Sequence, residues 1–171
     1  MRRKRSVETM VFMVLLFVSS TASATDIRGT ISSTLTITED SQLVGNVTCT
    51  VTGAACISFG APGIALKLNG FSMTGQGEAV TGCAGSQVIG EIGILVNGLR
   101  GVIIQGPGVI QRFRAHGISI TGASSRVLVR KVTAATNCFA GIFVTGASSD
   151  NDIETSMLVS NGNSSNPCGG I

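Results

Sequence analysis

The phrase GISITGASS at Gly117–Ser125 returns as GIFVTGASS at Gly141–Ser149, 24 residues later, with two positions changed. Ser119 is answered by Phe143, and Ile120 by Val144. A period of roughly 20–50 residues marks stacked units, none of which buries its apolar face alone. Gly-Ile pairs set the frame at Gly93-Ile94, Gly117-Ile118, Gly141-Ile142 and Gly170-Ile171, in steps of 24, 24 and 29 residues. The first three pairs open the short strands GILVNG, GISITG and GIFVTG. A second strand follows a turn each time: VIIQG from Val102, VLVRKV from Val127 and DIETSML from Asp152. The segment GIALKLNGFSMTG at Gly63–Gly75 reads as an earlier, more diverged turn of the same pattern.

Units this small close no sheet by themselves. Stacked, each strand pairs with its counterpart ~4.8 Å above and below, and the inward side chains form one apolar column. Ile118 is then expected beside Ile142, Ile120 beside Val144, and Val129 beside Ile153. The corner glycines are expected to supply backbone angles that other residues resist. Asn137 and Asn161 are also 24 apart. They read either as a ladder of side-chain amides along the stack or as two ordinary turn asparagines. The many Gly, Ser, Thr, Val and Ile residues, with no Trp or Tyr, suit short strands and tight turns. No stretch after residue 24 has a convincing helical period.

The segments LKLNGFSMTG, GVIIQGPGVIQRFRAHGI and SSDNDIETSMLVSNGN resemble the repeats of right-handed parallel β-helix proteins of the pectate-lyase-like superfamily. The resemblance runs from Ile64 to Ile171. It implies an all-β fold, a right-handed parallel β-helix (a solenoid of about 24-residue coils). It does not fix an activity, because that superfamily holds polysaccharide lyases, hydrolases, epimerases and adhesins alike, and fold does not carry function. A leucine-rich repeat would need a Leu framework that this chain lacks, and a β-sandwich needs no register-true period.

Residues 1–24 read as a signal peptide: the basic MRRKRS, the apolar MVFMVLLFV at Met10–Val18, and the small-residue site at Ala22–Ala24. The apolar run falls short of the ~20 residues a bilayer span needs, so no membrane contact is expected after cleavage; a retained anchor is the rival reading. The expected product is exported: extracellular, periplasmic or on the cell surface. The β-helix domain then covers residues 25–171, with 25–62 as N-terminal cap and first coil (the cap at Thr25–Leu35) and 63–171 as repeating coils. TLTITEDSQLVGNVTC reads as two strands about a turn at Glu39–Ser41. Four of the twelve Lys and Arg and one of the nine acids lie in the leader, leaving eight of each. A formally neutral chain has no basic face for nucleic acid, so none is expected as a partner. The chain stops at NPCGGI, two residues into a further Gly-Ile strand. A C-terminal cap is therefore expected to be missing, with the chain either continuing in a longer β-helix or associating end to end.

Export permits disulfides among Cys49, Cys56, Cys83, Cys138 and Cys168. Cys138 and Cys168 stand just before successive Gly-Ile pairs, which predicts a bond between neighbouring coils. Cys49 and Cys56 flank a short turn and are placed to pair locally; the alternative joins Cys56 to Cys83. The spacings fit no zinc pattern.

Arg126 and Asp150 are 24 apart, as are Arg130 and Glu154. Stacking makes each pair direct neighbours, contributing ~0.2–1 kcal/mol. The functional reading of the same residues is a polar wall of Arg126, Arg130, Lys131, Asp150, Asp152 and Glu154 facing an anionic sugar. The superfamily resemblance implies an Arg or Lys base and acids holding calcium. Asp150, Asp152 and Glu154 are the metal candidates, although calcium takes about six to eight oxygens and the others are not identifiable. In QRFRAH, the alternating Arg112, Arg114 and His116 would share one face of an extended segment. His116 is the single histidine and a conceivable acid–base group; the plain reading is a solvated edge or turn. Two functions follow. One is a secreted, non-catalytic scaffold for binding or surface structure, with polysaccharide as the expected partner and no cofactor. The other is a polysaccharide lyase or hydrolase acting on an acidic glycan, with calcium if a lyase. The thin acidic cluster and the lack of Trp and Tyr favour the scaffold.

Overall fold

A computed structural model describes residues 24–81, 83 and 88–162. Residues 1–23, on which nearly all of the expected signal peptide falls, Cys168 and the Gly170-Ile171 pair lie outside the described residues. The strands are β1 (Thr25–Ile31), β2 (Leu35–Ile37), β3 (Ser41–Cys49), β4 (Ile57–Phe59), β5 (Ala65–Lys67), β6 (Ser72–Thr74) and β7 (Ile94–Asn97). They continue with β8 (Ile103–Gln111), β9 (Ile118–Thr121), β10 (Leu128–Ala135), β11 (Ile142–Val144), β12 (Asp152–Glu154) and β13 (Met157–Val159). All pairings between them are parallel.

Two sheets share the strands. The first has the order β1-β3-β5-β8-β10-β12, with β6 joined to β3 and β8 and β13 to β10. The second has the order β11-β9-β7-β4-β2. The chain leaves one sheet, adds a strand to the other and returns. Parallel neighbours always need a crossover; here the crossover is a strand of the opposite sheet. The fold is therefore all-β with parallel sheets. The segment expected to cap the fold contains β1, which is hydrogen-bonded in register to β3 along most of its length.

The repeat sets the register. Ile94, Ile118 and Ile142 align, as do Val96, Ile120 and Val144. In the first sheet Leu66, Ile104, Val129 and Ile153 align. Ile94, Ile104, Ile118, Ile120 and Ile142 are fully buried. Each such side chain contributes ~1.5–3 kcal/mol over leaving it exposed.

Two kinds of glycine carry the period, for different reasons. Gly98, Gly122 and Gly146 have φ of 68°, 64° and 66°, the left-handed corner expected of them. Gly93, Gly117 and Gly141, which open the Gly-Ile strands, have no such angle. Close approach explains them: a Cβ on Gly93 would lie 2.5 Å from the Gly117 carbonyl oxygen, and one on Gly117 2.6 Å from that of Gly141. These glycines let the backbone of one repeat close on that of the next. Other corners repeat without glycine. Ala123 and Ala147, Arg126 and Asp150, Lys131 and Thr155, and Thr136 and Ser160 all have φ between 50° and 60°.

Asn137 and Asn161 form the ladder. The Asn137 backbone N–H and its side-chain amide both donate to Asn161 Oδ1, at 3.0 and 2.9 Å. Asn137 also donates to the Ile110 carbonyl and accepts from the Phe113 N–H, so its buried amide ties three successive repeats together.

Candidate functional site

The QRFRAH segment starts at the last residue of β8 and runs toward β9. Phe113 and Ala115 are buried, and Arg112, Arg114 and His116 lie on the outer side. Arg112 has a φ of 60°, so the segment is not a regular extended strand with three equivalent side chains. Each of the three instead holds a different neighbour. Arg112 Nε donates to the Gly77 carbonyl at 2.7 Å, fastening the start of the insertion that follows β6. Arg114 makes a two-point contact with Glu91, the single ion pair among the described residues. Glu91 is 3% exposed, and its carboxylate holds the Arg114 guanidinium above its ordinary range. Both ends of the insertion are thereby fixed to the stack.

His116 Nδ1 accepts the Ala140 backbone N–H at 3.2 Å. Its ring stacks on Phe143 with centroids 4.3 Å apart and planes 2° apart, and lies against Phe139 at 5.4 Å. Burial lowers its pKa to about 4. The ring is thus neutral at neutral pH, with one nitrogen accepting a backbone donor.

Cys49 and Cys56 form a disulfide, with Cα atoms 5.8 Å apart. Cys138 is bonded to Cys83, with Cα atoms 4.7 Å apart, and not to Cys168 as expected. The physical reason is the insertion: fastened by Arg112, Arg114 and Glu91, it returns Cys83 to the corner that Cys138 occupies. Disulfides are the chemistry of an oxidising compartment. Among the described residues no helix is long and apolar enough to cross a membrane.

Arg126 and Asp150 occupy equivalent left-handed corners, joined through the Ser125–Ser149 bridge. Arg130 and Glu154 are register partners, but Arg130 does not reach the carboxylate. Its Nη2 donates to Gln105 Oε1 at 2.8 Å on the other side. The expected charge ladder is corrected to a guanidinium–amide contact with the strand on the opposite side of β10. Asp152 and Glu154 are exposed on β12, and no group of three or more His, Cys, Asp or Glu among the described residues is arranged to hold a metal ion.

One arrangement on the first sheet was not read from the sequence. Asp26, Gln42, Lys67, Gln105, Arg130 and Glu154 are successive register partners, forming one row across six strands. Gln42 Nε2 donates to Asp26 at 2.8 Å, and Asn69 donates to Gln42 at 3.3 Å. The signal was there in the alternation about each residue, but the gap between β6 and β8 hides the step from Lys67 to Gln105.

Comparison with protein-family models, curated proteins and solved structures gives no match.

Proposed function

We propose that the chain is a right-handed parallel β-helix, similar to the pectate-lyase-like superfamily, that serves as a secreted scaffold for binding or surface structure. Its expected partner is polysaccharide, and its expected place is outside the cell, in a periplasm or on a cell surface. The observation that carries this reading is the engagement of the candidate reactive groups. Arg112, Arg114 and His116 hold backbone, Glu91 and an aromatic stack, and Arg130 is turned to Gln105. Groups spent in this way build a rigid stack whose outer faces are presented to a partner. Register-true rows of side chains support binding of something extended, because they repeat at a fixed spacing. End-to-end association of copies belongs to the same reading.

The test is incubation with a panel of acidic and neutral polysaccharides, with and without calcium. A scaffold retains glycan on an affinity column and releases neither unsaturated nor reducing ends. Unsaturated products absorbing in the ultraviolet would make the protein a lyase, and new reducing ends without that absorbance a hydrolase. Either result overturns the reading.

A further inference from the structure

We infer that the middle of the polar row on the first sheet is a binding track for a linear glycan carrying a carboxylate on every second sugar. The inference rests on the scaffold reading and names its ligand and residues. Lys67, Gln105 and Arg130 are register partners on β5, β8 and β10. These three strands carry three charged residues, Lys67, Arg130 and Lys131, and all are basic. Carboxylates appear in the row only at its ends, Asp26 on β1 and Glu154 on β12. The two cations of the row stand two strand steps apart, ~9.6 Å, with an amide between them. A pyranose in an extended chain is about as long as one strand step. Cation, amide, cation therefore matches uronate, neutral sugar, uronate.

The side chains are set for it. Lys67 is exposed and Arg130 half-buried. Arg130 spends one guanidinium nitrogen on Gln105 Oε1. This leaves the other guanidinium N–H groups for a carboxylate, and the Gln105 amide nitrogen as a donor to sugar hydroxyls. Lys131, exposed at the corner beside Arg130, adds positive potential on the same side. Asp26 and Glu154 repel carboxylates and bound the track. Both outer contacts are open to water, so affinity is expected to be modest and to fall with salt.

The experiment measures binding of hyaluronan hexasaccharide, in which glucuronate alternates with a neutral amino sugar, by titration calorimetry. Arms with oligogalacturonate, a neutral chitin oligomer and single-stranded DNA run in parallel. The expected result is that hyaluronan binds best, and that Lys67→Gln with Arg130→Gln weakens it by about tenfold or more. Glu154→Gln, which removes an exposed boundary acid, should strengthen it, and melting curves check that each variant folds. Equal or tighter binding of galacturonate or DNA overturns the alternating-uronate assignment. Hyaluronan binding that survives the double variant overturns the track while leaving the scaffold reading intact. No binding to any glycan, here and across the full panel, overturns both.

Discussion

Asn137 Nδ2 lies 2.9 Å from Asn161 Oδ1, across the interval of 24 residues that separates the two in the chain. The contact joins the sequence period to the spatial one. The same buried amide satisfies the Ile110 carbonyl and the Phe113 N–H. Asn137→Ala removes the amide and leaves those backbone groups without partners. The expected loss is about 2–4 kcal/mol, read as a lower midpoint in urea denaturation. Asn137→Asp should recover part of it, because an oxygen remains to accept from Phe113.

The Gly-Ile glycines are tested by Gly117→Ala. The added methyl would meet the Gly141 carbonyl oxygen at 2.6 Å and the Asn137 side-chain nitrogen at 2.8 Å. Overpacking of this kind costs ~1–3 kcal/mol or more. Gly→Ala at Gly53, whose Cβ position is open but whose φ is 71°, should cost less, ~1 kcal/mol. A reversed order in thermal melts would show that backbone angle outweighs close approach at these positions.

The apolar columns and the asparagine ladder were legible in the sequence because they follow the period itself. Ile118 and Ile142 needed only the interval of 24 residues to be paired. The partner of Cys138 was not legible, because Cys83 lies in an insertion with no counterpart in neighbouring units, so no register places it. The two glycine classes were likewise indistinct, since the letter G records neither φ nor the distance to the next coil. Arg130 taking Gln105 over Glu154 is a choice among side-chain directions that register leaves open.

The insertion is tested at Glu91. Glu91→Gln keeps the shape but removes the charge facing Arg114, and Ala115 N–H still reaches the Glu91 carbonyl at 3.1 Å. With Glu91 buried and Arg114 partly exposed, the expected cost is ~1–3 kcal/mol. Limited proteolysis should then cut within residues 76–92 before any site in the sheets.

His116 gives the pH dependence. Its pKa falls from 6.5 unfolded to about 4 folded, because burial disfavours the charged ring. The unfolded chain therefore binds the proton first, and stability rises with pH between about 4 and 6.5 and is lost as pH falls through that window. The partly exposed ring limits this loss to on the order of 1–2 kcal/mol. His116→Gln should flatten that part of the stability–pH curve. An unchanged slope would show that His116 is not its source.

The Cys83–Cys138 bond is checked by non-reducing peptide mapping of oxidised protein. The expected linked peptides contain Cys83 with Cys138 and Cys49 with Cys56. A Cys138–Cys168 peptide as the main product would contradict the pairing found here.

The central claim is that units of 24 residues stack in register. It is tested most directly by duplicating residues 118–141 within the chain, with Cys138 of the added copy changed to Ala. The account predicts a folded protein with more β-sheet circular dichroism and a cooperative melt, because the junction recreates a Gly-Ile pair and the apolar columns continue. Duplicating only residues 118–129 should unfold the stack, since it shifts every later strand out of register. Loss of structure in the full duplication, or equal tolerance of both, would contradict it.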